Sequence, residues 1–385
     1  MKFDLYCRVV DNFGDAGVCW RLARQLANEY GAQVRLIIDQ AHLINWLASG
    51  TDATTQAPSL IDRVSIVAWD EDFSIARNAD VIIAAFQCEL PPSVRACVAA
   101  DGANVPLWIN LDYLSAEQWV VSAHGRPSPK PSGGVEWFFM PGFEPASGGL
   151  LRDQFVQNAG DAKPAWLPGE PAGAFRVSLF TYPGQSLTTL CSALAMGVSF
   201  GGTAAEQSQV QPVQVLLMAT KHDKQFDPYL NWPDNEPGPL QHGLATLHRV
   251  PWLAQAQYDQ LLAHCHLNFV RGEDSWIRAI WAGRPFVWLP YRQDDGSHNV
   301  KLEAFLARLA PHFEAHAFKV TAQLMRAWNH SPRPTQTDLA AALTAFTAHY
   351  PTVATGFSAF KDDLLVQSDL AERLIDFVRQ RRPLL

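Results

Sequence analysis

The feature that most constrains the fold is an alternation of short apolar segments with helical ones, repeated in each half of the chain. The first half contains five strand-like segments, at 3–10, 33–38, 63–68, 80–85 and 106–110. The second half contains five more, at 175–181, 212–219, 246–250, 267–270 and 285–289. Short apolar strands that alternate with helices are typical of a parallel sheet covered by helices on both faces. The sequence therefore predicts an α/β chain with two doubly wound sheets.

The segments between the strands give the predicted helices and loops. Helical patterns lie at 17–29, near 186–197, at 255–264, at 275–283 and, after residue 299, over most of the chain up to a last helix at about 362–380. The stretch 124–149 is rich in Pro and Gly and is predicted to be a long irregular loop. The stretch 157–174 has the composition of a linker between domains.

Composition and charge exclude several classes of protein. The chain has 385 residues, of which 48% are hydrophobic and 18% charged, so two packed cores are expected. Its formal net charge is -8, whereas a duplex-DNA binder needs an excess of Lys and Arg. No apolar run reaches about 18 residues, and Asp4 interrupts the apolar core that a signal peptide would need. The six cysteines lie in apolar surroundings without a C-x-x-C pair, which favours a reduced cytoplasmic protein.

The negative charge is confined to the first part of the chain. Residues 1–170 carry 12 Lys and Arg against 20 Asp and Glu, whereas residues 171–385 carry 18 of each. A solvated acidic surface accounts for this imbalance, and a docking face for a basic partner is the sharper interpretation.

The first group of candidate site residues follows the first predicted strand. The run DNFGDAG at 11–17 forms a strand–loop–helix corner with two glycines and two carboxylates. Helix N-termini attract anions, but the G-x-G-x-x-G fingerprint of dinucleotide binding is absent. Asp11 and Asp15 can bind a cation or accept a proton, or one of them can simply cap the helix. Because both flank Gly14 at a strand end, we favour a functional role.

The second group follows the strand at 267–270. Arg271 is placed to pair with a phosphate, and the N–H groups near Asp274 and Ser275 can bind another phosphate oxygen at the start of a helix. Glu273 would face a sugar hydroxyl or the reacting centre. The alternative is that Asp274 or Ser275 caps the helix and Arg271 forms a structural pair with Glu273. The layout is typical of a site for a nucleotide diphosphate.

Aromatic and amide residues near these strand ends can complete a nucleoside pocket. They are Phe180, Tyr182, Gln185, Trp252, Gln255 and Tyr258. A base needs an apolar face for stacking and an amide for hydrogen bonds to its edge. Ordinary core packing is the better explanation for Trp252. For Tyr182 and Gln255, core packing and nucleoside binding are both open.

Long motifs in the chain resemble those of the EarP family. They are DNFGDAGVCWRLARQLANEY at 11–30, GFEPASGGLLRD at 142–153, VPWLAQAQYDQLL at 250–262, RGEDSWIRAIWAGRPFVW at 271–288 and HNVKLEAFLA at 298–307. The family consists of protein-arginine rhamnosyltransferases that modify bacterial translation elongation factor P (EF-P). The resemblance covers nearly the whole chain in the family's motif order.

The resemblance implies a GT-B glycosyltransferase with two Rossmann-like domains that face a cleft. It implies an acceptor-binding domain at 1–165, a donor-binding domain at 166–361 and a C-terminal helix at 362–385 that crosses back to the first domain. It further implies dTDP-β-L-rhamnose as donor, an arginine of EF-P as acceptor, and inversion at the anomeric carbon. No metal or other cofactor is expected, and no direct contact with nucleic acid or membrane.

Site residues are carried over from the family by motif. The family's two loop aspartates match Asp11 and Asp15, and its essential glutamate matches Glu273. The predicted donor-binding residues are Asn12, Phe13, Gly14, Asp15, Phe180, Tyr182, Gln185, Trp252, Gln255, Arg271, Gly272, Glu273, Asp274 and Ser275. Because a guanidinium with a pKa above about 12 is a poor nucleophile, carboxylates must orient it and accept its proton. We predict Asp15 as the base and Asp11 as the orienting group.

Three other functions remain as alternatives to rhamnosyl transfer. A GT-B transferase acting on a lipid or glycan would need a basic or amphipathic membrane patch, and none is visible in the first half. A nucleotide-sugar sensor would not need the carboxylates Asp11 and Asp15. A nicotinamide dehydrogenase is disfavoured by the missing glycine fingerprint.

Overall fold

The computed structural model describes most of the chain as two compact units. The described residues are 1–10, 13–50, 60–69, 78–100, 105–156, 159–160, 163–169, 173–182, 187–200, 209–218, 238–329 and 335–382. The first unit comprises Met1–Gln154 and Leu365–Leu385, and the second comprises Phe155–Leu364. Within the residues described, none of the helices is both long and apolar enough to cross a membrane.

The regular elements are numbered along the chain. The strands are β1 (Lys2–Cys7), β2 (Gln33–Ile38), β3 (Leu60–Ile61), β4 (Val64–Ala68), β5 (Val81–Ala85), β6 (Leu107–Leu111), β7 (Pro127–Pro129), β8 (Val135–Phe139), β9 (Phe175–Leu179), β10 (Val213–Met218), β11 (Leu240–His242), β12 (Ala245–Val250), β13 (Leu267–Arg271) and β14 (Phe286–Leu289). The helices are α1 (Phe13–Asn28), α2 (Leu43–Ser49), α3 (Pro92–Val98), α4 (Trp119–Ala123), α5 (Leu187–Leu194), α6 (Gln255–Ala263), α7 (Asp274–Ala282), α8 (Ser297–Leu309), α9 (Ala315–Asn329), α10 (Gln336–Ala348), α11 (Tyr350–Leu365) and α12 (Leu370–Arg381).

The sheet of the first unit has the strand order β3-β4-β2-β1-β5-β6-β8-β7. Neighbours from β4 to β8 are parallel, and the short strands β3 and β7 are antiparallel at the two edges. Strand β1 is central because β2 pairs with one side of it and β5 with the other. The order therefore reverses between β1 and β5, as in a doubly wound sheet.

Alternate residues of β1 face two different cores, which explains its almost continuous apolar sequence. Leu5 and Cys7 join a large core that also contains buried side chains of α1 and α12. Tyr6 faces the other side of the sheet and joins a smaller core with Trp69, whose ring lies 5.5 Å away, edge to face. The chain beyond residue 365 thus supplies part of the first unit's core.

The sheet of the second unit repeats this topology. Its order is β11-β12-β10-β9-β13-β14, with parallel pairing throughout except for the edge strand β11. The first strand of this unit, β9, is central, and the order reverses between β9 and β13. All five residues of β13 are buried.

Three details of the predicted elements are wrong. The stretch 124–149 is not one irregular loop, because β7 and β8 pair within it and β8 also pairs with β6. The predicted last helix is two helices, since the side chain of Asp369 accepts a hydrogen bond from Glu372 N and starts α12 as a separate element. Strand β1 ends at Cys7 and α1 begins at Phe13, so most of the predicted first loop is the opening of a helix.

Candidate functional site

The predicted site residues follow β1 in the first unit and β9, β12 and β13 in the second, and the sheet order reverses between β1 and β5 and between β9 and β13. We call the segments after β1 and β5 the first switch edge, and the segments after β9 and β13 the second switch edge. Ligands of open α/β sheets bind at the carboxyl ends of strands at such reversals. The two edges are described separately because they belong to different units.

At the first switch edge, Asp15 is a buried carboxylate in the first turn of α1. Its Oδ2 accepts a hydrogen bond from Val10 N at 2.8 Å, which ties the helix to the segment that leaves β1. The N-terminal end of a helix favours a negative charge. Phe13 and Gly14, the first two residues of α1, are half-buried beside it. The carboxylate is therefore held in a fixed position close to the end of the central strand.

Three predicted site residues lie outside the described part of the chain. They are Asp11, Asn12 and Gln185. Their predicted roles stay predictions, and the division of roles between Asp11 and Asp15 stays one as well.

The second switch edge is organised around Arg271, the last residue of β13. Its side chain is buried, and its Cζ lies 4.2 Å from the centre of the Phe180 ring and 4.6 Å from that of Tyr182. Its Nη1 donates a hydrogen bond to the carbonyl oxygen of Thr181 at 2.7 Å. A guanidinium over aromatic faces is attractive, and more so where water is excluded. Arg271 thus fixes the segment that leaves β9, a role that the sequence analysis did not predict for it.

The turn after Arg271 requires a glycine. Gly272 has a φ of 60°, a region that side chains disfavour, and its carbonyl oxygen accepts a hydrogen bond from Trp288 Nε1 at 2.8 Å. The Trp288 ring stacks on Trp276 of α7, with centres 3.7 Å apart. Strand β14 and helix α7 therefore hold this turn from both sides.

Helix α7 begins directly after the turn, with Glu273 at its N-cap position and Asp274 as its first residue. The Glu273 side chain does not cap the helix. The Ser275 hydroxyl accepts a hydrogen bond from Arg271 N at 3.0 Å and donates one to Arg271 O, which closes the turn. The first N–H groups of α7 therefore lie at the end of β13, beside Glu273.

Gln255 and α6 are tied to this turn. The buried Gln255 is the first residue of α6, and its Nε2 donates to Asp274 Oδ2 at 3.4 Å. A buried ion pair joins the two helices, because Arg278 donates two hydrogen bonds to Asp259, at 2.8 and 2.6 Å. Both side chains are at most 5% exposed. Such a two-point pair fixes the position of α6 against α7.

Two further aromatic residues belong to this region of the second unit. The Tyr258 ring lies 5.9 Å from Phe180, edge to face, and burial raises the pKa of its hydroxyl above the usual range. The Tyr291 ring lies 5.5 Å from Tyr182 and is exposed. Trp252 is half-buried on the segment that leads into α6.

Seven of the fourteen predicted donor residues form direct contacts at the second switch edge or beside it. Arg271 contacts Phe180, Tyr182 and Ser275, Asp274 contacts Gln255, and Gly272 contacts Trp288. Sequence reasoning missed the Asp259–Arg278 pair and Tyr291. The sequence did contain a signal for this pair, because each of the two predicted helices carries one charged residue, Asp259 or Arg278, on its apolar face. Donor binding by the residues of this edge stays a prediction.

The second unit also contains a cavity of about 410 Å³ with a basic lining, formed partly by Arg176, His264 and Arg284. Arg284 Nε donates to the carbonyl oxygen of Ala263 at 3.1 Å, and Arg176 Nη1 donates to that of His264 at 3.4 Å. These cations neutralise the carbonyl end of α6, which accounts for their position.

The described ranges contain no group of three or more His, Cys, Asp or Glu side chains placed to hold a metal ion. All six cysteines are free thiols, and burial raises the pKa of the Cys88 and Cys191 thiols to about 12. Neutral buried thiols of this kind are inert core residues.

Comparisons with known proteins agree on one family. A model of the family described as "Elongation-Factor P (EF-P) rhamnosyltransferase EarP" matches residues 3–379. A protein-arginine rhamnosyltransferase of Pseudomonas putida is 37% identical over 390 residues, which cover 98% of each chain. The corresponding protein of Pseudomonas aeruginosa is 34% identical over 394 residues, again with 98% of each chain covered.

Solved structures resemble the chain over its whole length. One, described as "Structural basis for EarP-mediated arginine glycosylation of translation elongation factor EF-P", has a TM-score of 0.63 and 27% identity, and covers 98% of this chain and 99% of its own. The structure of Phytolacca americana UGT2, complexed with UDP-2fluoro-glucose and pterostilbene, has a TM-score of 0.53 at 11% identity, with 99% of both chains covered. The predicted fold class, α/β of the GT-B glycosyltransferase type, is confirmed.

Proposed function

Because the chain belongs to the EarP family of EF-P rhamnosyltransferases, we propose that it transfers rhamnose from dTDP-β-L-rhamnose to an arginine side chain of EF-P. The family and the class of enzyme, a glycosyltransferase, agree with the prediction from the sequence motifs. The proposal concerns the donor, the stereochemistry and the roles of individual residues.

We assign donor binding to the second switch edge. Phe180 and Tyr182 offer aromatic rings to a base, and their segment is held by Arg271. Gln255 offers an amide beside the start of α7. The unsatisfied N–H groups of a helix N-terminus bind phosphate oxygens, and α7 presents its first turn directly after the strand end.

The same edge would stabilise the leaving group. When the bond from the anomeric carbon to the diphosphate oxygen breaks, dTDP departs with the electron pair and gains negative charge. The N-terminal end of α7 and the cation Arg271 oppose that charge in a region largely shielded from water. With these groups present we propose transfer without a metal ion.

We assign the acceptor chemistry to the first switch edge. A guanidinium nitrogen attacks the anomeric carbon on the face opposite the diphosphate, so one C–N bond forms as one C–O bond breaks and the configuration inverts. The nitrogen must lose a proton as the bond forms, and the carboxylate of Asp15 accepts it. Val10 N holds Asp15 in place for this step. Glu273 is proposed to contact the sugar.

The observation that carries the proposal is the assembly of the run Arg271 to Ser275 at the second switch edge. In it, the strand end, the glycine turn and the start of α7 are bonded into one unit around Arg271. Since EF-P is a cytoplasmic translation factor, we also propose that the enzyme acts in the cytoplasm.

The test is incubation of the protein with EF-P and dTDP-β-L-rhamnose, followed by intact-mass measurement of EF-P. We expect a mass gain of one deoxyhexose, located on an arginine by peptide mapping and linked as the α-anomer by NMR. EF-P with that arginine changed to Lys serves as the matched control and should stay unmodified. An unchanged mass of native EF-P would refute the proposal, and a β-linked product would refute inversion.

A further inference from the structure

The segment that leaves β5 at the first switch edge has an unusual backbone. Phe86 and Gln87 both have positive φ angles, 56° and 57°, although neither is a glycine. Side chains with a Cβ disfavour this left-handed region, and consecutive residues in it are rare. Strained residues of this kind persist where the surrounding contacts fix them, and they concentrate at ligand sites.

Contacts to the end of β6 fix this strained pair. Phe86 N donates to the carbonyl oxygen of Leu111 at 2.7 Å. The Phe86 ring stacks on Tyr113, with ring centres 4.3 Å apart and planes 16° from parallel. The Gln87 amide donates to Asp112 Oδ2 at 3.0 Å. The left-handed turn therefore brings one aromatic ring and one amide onto the two residues that follow β6.

Asp112 is a buried carboxylate, only 8% exposed. Its Oδ1 accepts a hydrogen bond from Tyr113 N at 2.8 Å, and its Oδ2 accepts the one from Gln87. A carboxylate offers about four acceptor positions, and these two bonds use two of them. Among the residues that the structure describes, no cation forms an ion pair with Asp112. A buried carboxylate with acceptor positions left over suits a site that a cation enters.

The position of this group relates it to Asp15. Strand β5 lies between β1 and β6, with Tyr6 level with Ala84 and Ala84 level with Asn110. All three strands are parallel, so Val10, Phe86 and Asp112 leave the same edge of the sheet. At roughly 4.8 Å between neighbouring strands, the ends of β1 and β6 are about 10 Å apart.

We propose that Asp112 and the stacked rings of Phe86 and Tyr113 bind the guanidinium of the acceptor arginine, with Gln87 positioning the Asp112 carboxylate. A planar guanidinium stacks on aromatic faces and pairs with a carboxylate through two N–H groups, whereas a lysine ammonium cannot do both. Asp112 holds the cation, and Asp15 accepts the proton of the attacking nitrogen. This inference rests on the proposed function, because the arginine is the proposed acceptor.

The test combines Asp112→Asn with loss of the acceptor arginine. Calorimetry without donor measures binding of EF-P, and of EF-P with the mapped arginine changed to Ala, to the wild-type protein and to Asp112→Asn. We expect Asp112→Asn to weaken binding of native EF-P roughly tenfold and to leave binding of the alanine form unchanged. An equal loss for both forms, or no loss for native EF-P, overturns the inference.

Kinetics separate binding from general damage to the protein. Asp112→Asn should raise the KM for EF-P roughly tenfold and leave the KM for dTDP-β-L-rhamnose unchanged. Asp80→Asn is the matched control. Asp80 lies just before β5, at the opposite end of the strand from Phe86, and accepts a hydrogen bond from Lys2 N at 2.8 Å. It should behave as the wild type. A rise in both KM values for Asp112→Asn contradicts the inference.

A second variant tests the aromatic part without straining the turn. Phe86→Gly removes the ring at a φ that glycine adopts readily, so the turn can form. It should also raise the KM for EF-P and not that for the donor, and an unchanged KM for EF-P overturns the role of the ring. If the wild-type protein transfers no rhamnose at all, the proposed function fails, and the inference fails with it.

Discussion

At the two switch edges, the turns after β5 and β13 have the same backbone conformation but are made of different residues. In the second unit the turn after β13 uses Gly272, with a φ of 60°. In the first unit the turn after β5 uses Phe86 and Gln87, with φ angles of 56° and 57°. A glycine suits a turn where only the backbone is needed, as beside a phosphate. A strained turn made of side-chain-bearing residues indicates that the side chains themselves are needed.

This difference matches a division of labour between the two units. The second edge offers backbone N–H groups, a guanidinium and aromatic rings, which suit a nucleotide diphosphate. The first edge and the adjoining segment after β6 offer two buried carboxylates, Asp15 and Asp112, which suit a cationic acceptor. Variants at the two edges should therefore have separable effects.

The largest effect is expected for Asp15→Asn. Loss of the proposed base should lower kcat by roughly 10²- to 10⁴-fold, because the arginine can no longer transfer its proton as the C–N bond forms. The measurement is the initial rate of EF-P modification at saturating donor. A kcat within a few-fold of the wild type would remove Asp15 from the chemistry and with it the acceptor role of the first edge.

A pH effect on the stability of the first unit is expected at His124. Burial, followed by the nearby Arg373 and Arg381, lowers the pKa of His124 to about 4 from its usual value of 6.5. The unfolded chain therefore binds more protons between about pH 6.5 and 4. Stability linked to His124 is complete above this window and is lost, by up to about 3 kcal/mol, as the pH falls through it. Unfolding by denaturant across this range should show the loss, and His124→Gln should flatten it; an equal slope in the variant would contradict the assignment.

The smallest effects concern the two turns. Gly272→Ala should lower the stability of the second unit by about 1–2 kcal/mol, since alanine is strained at this φ. Gln87→Gly should change the stability of the first unit by less than about 1 kcal/mol, because relief of backbone strain offsets the loss of one hydrogen bond. Chemical denaturation of both variants measures this. A larger loss for Gln87→Gly than for Gly272→Ala would reverse the comparison.

The positions of most strands along the chain could be predicted because buried parallel strands are marked by continuous apolar runs. The run at 33–38 is β2 to the residue, and β13 extends the predicted 267–270 by Arg271 alone. The short strand β8 was missed because glycine-rich turns hide it. The start of α1 was misplaced because Gly14 and Gly17 are read as loop residues, although both lie in the helix.

The second switch edge was predictable from sequence to a greater extent than the first. Arg271 to Ser275 form one contiguous run, so locating the end of β13 in the sequence also identifies these residues. Asp112 also lies just after a predicted strand, 106–110, and the same rule would have found it. The left-handed turn at Phe86 and Gln87 gives no signal in the sequence, because it is imposed by contacts with residues 25 positions away.

Calorimetric binding of dTDP to Asp15→Asn and Arg271→Ala, side by side, tests this division most directly. The account predicts wild-type affinity for Asp15→Asn and a loss of roughly 10- to 100-fold for Arg271→Ala, since Arg271 both opposes the diphosphate charge and holds the segment of Phe180 and Tyr182. Wild-type affinity in Arg271→Ala, or a comparable loss in Asp15→Asn, would contradict the assignment of donor and acceptor to separate edges.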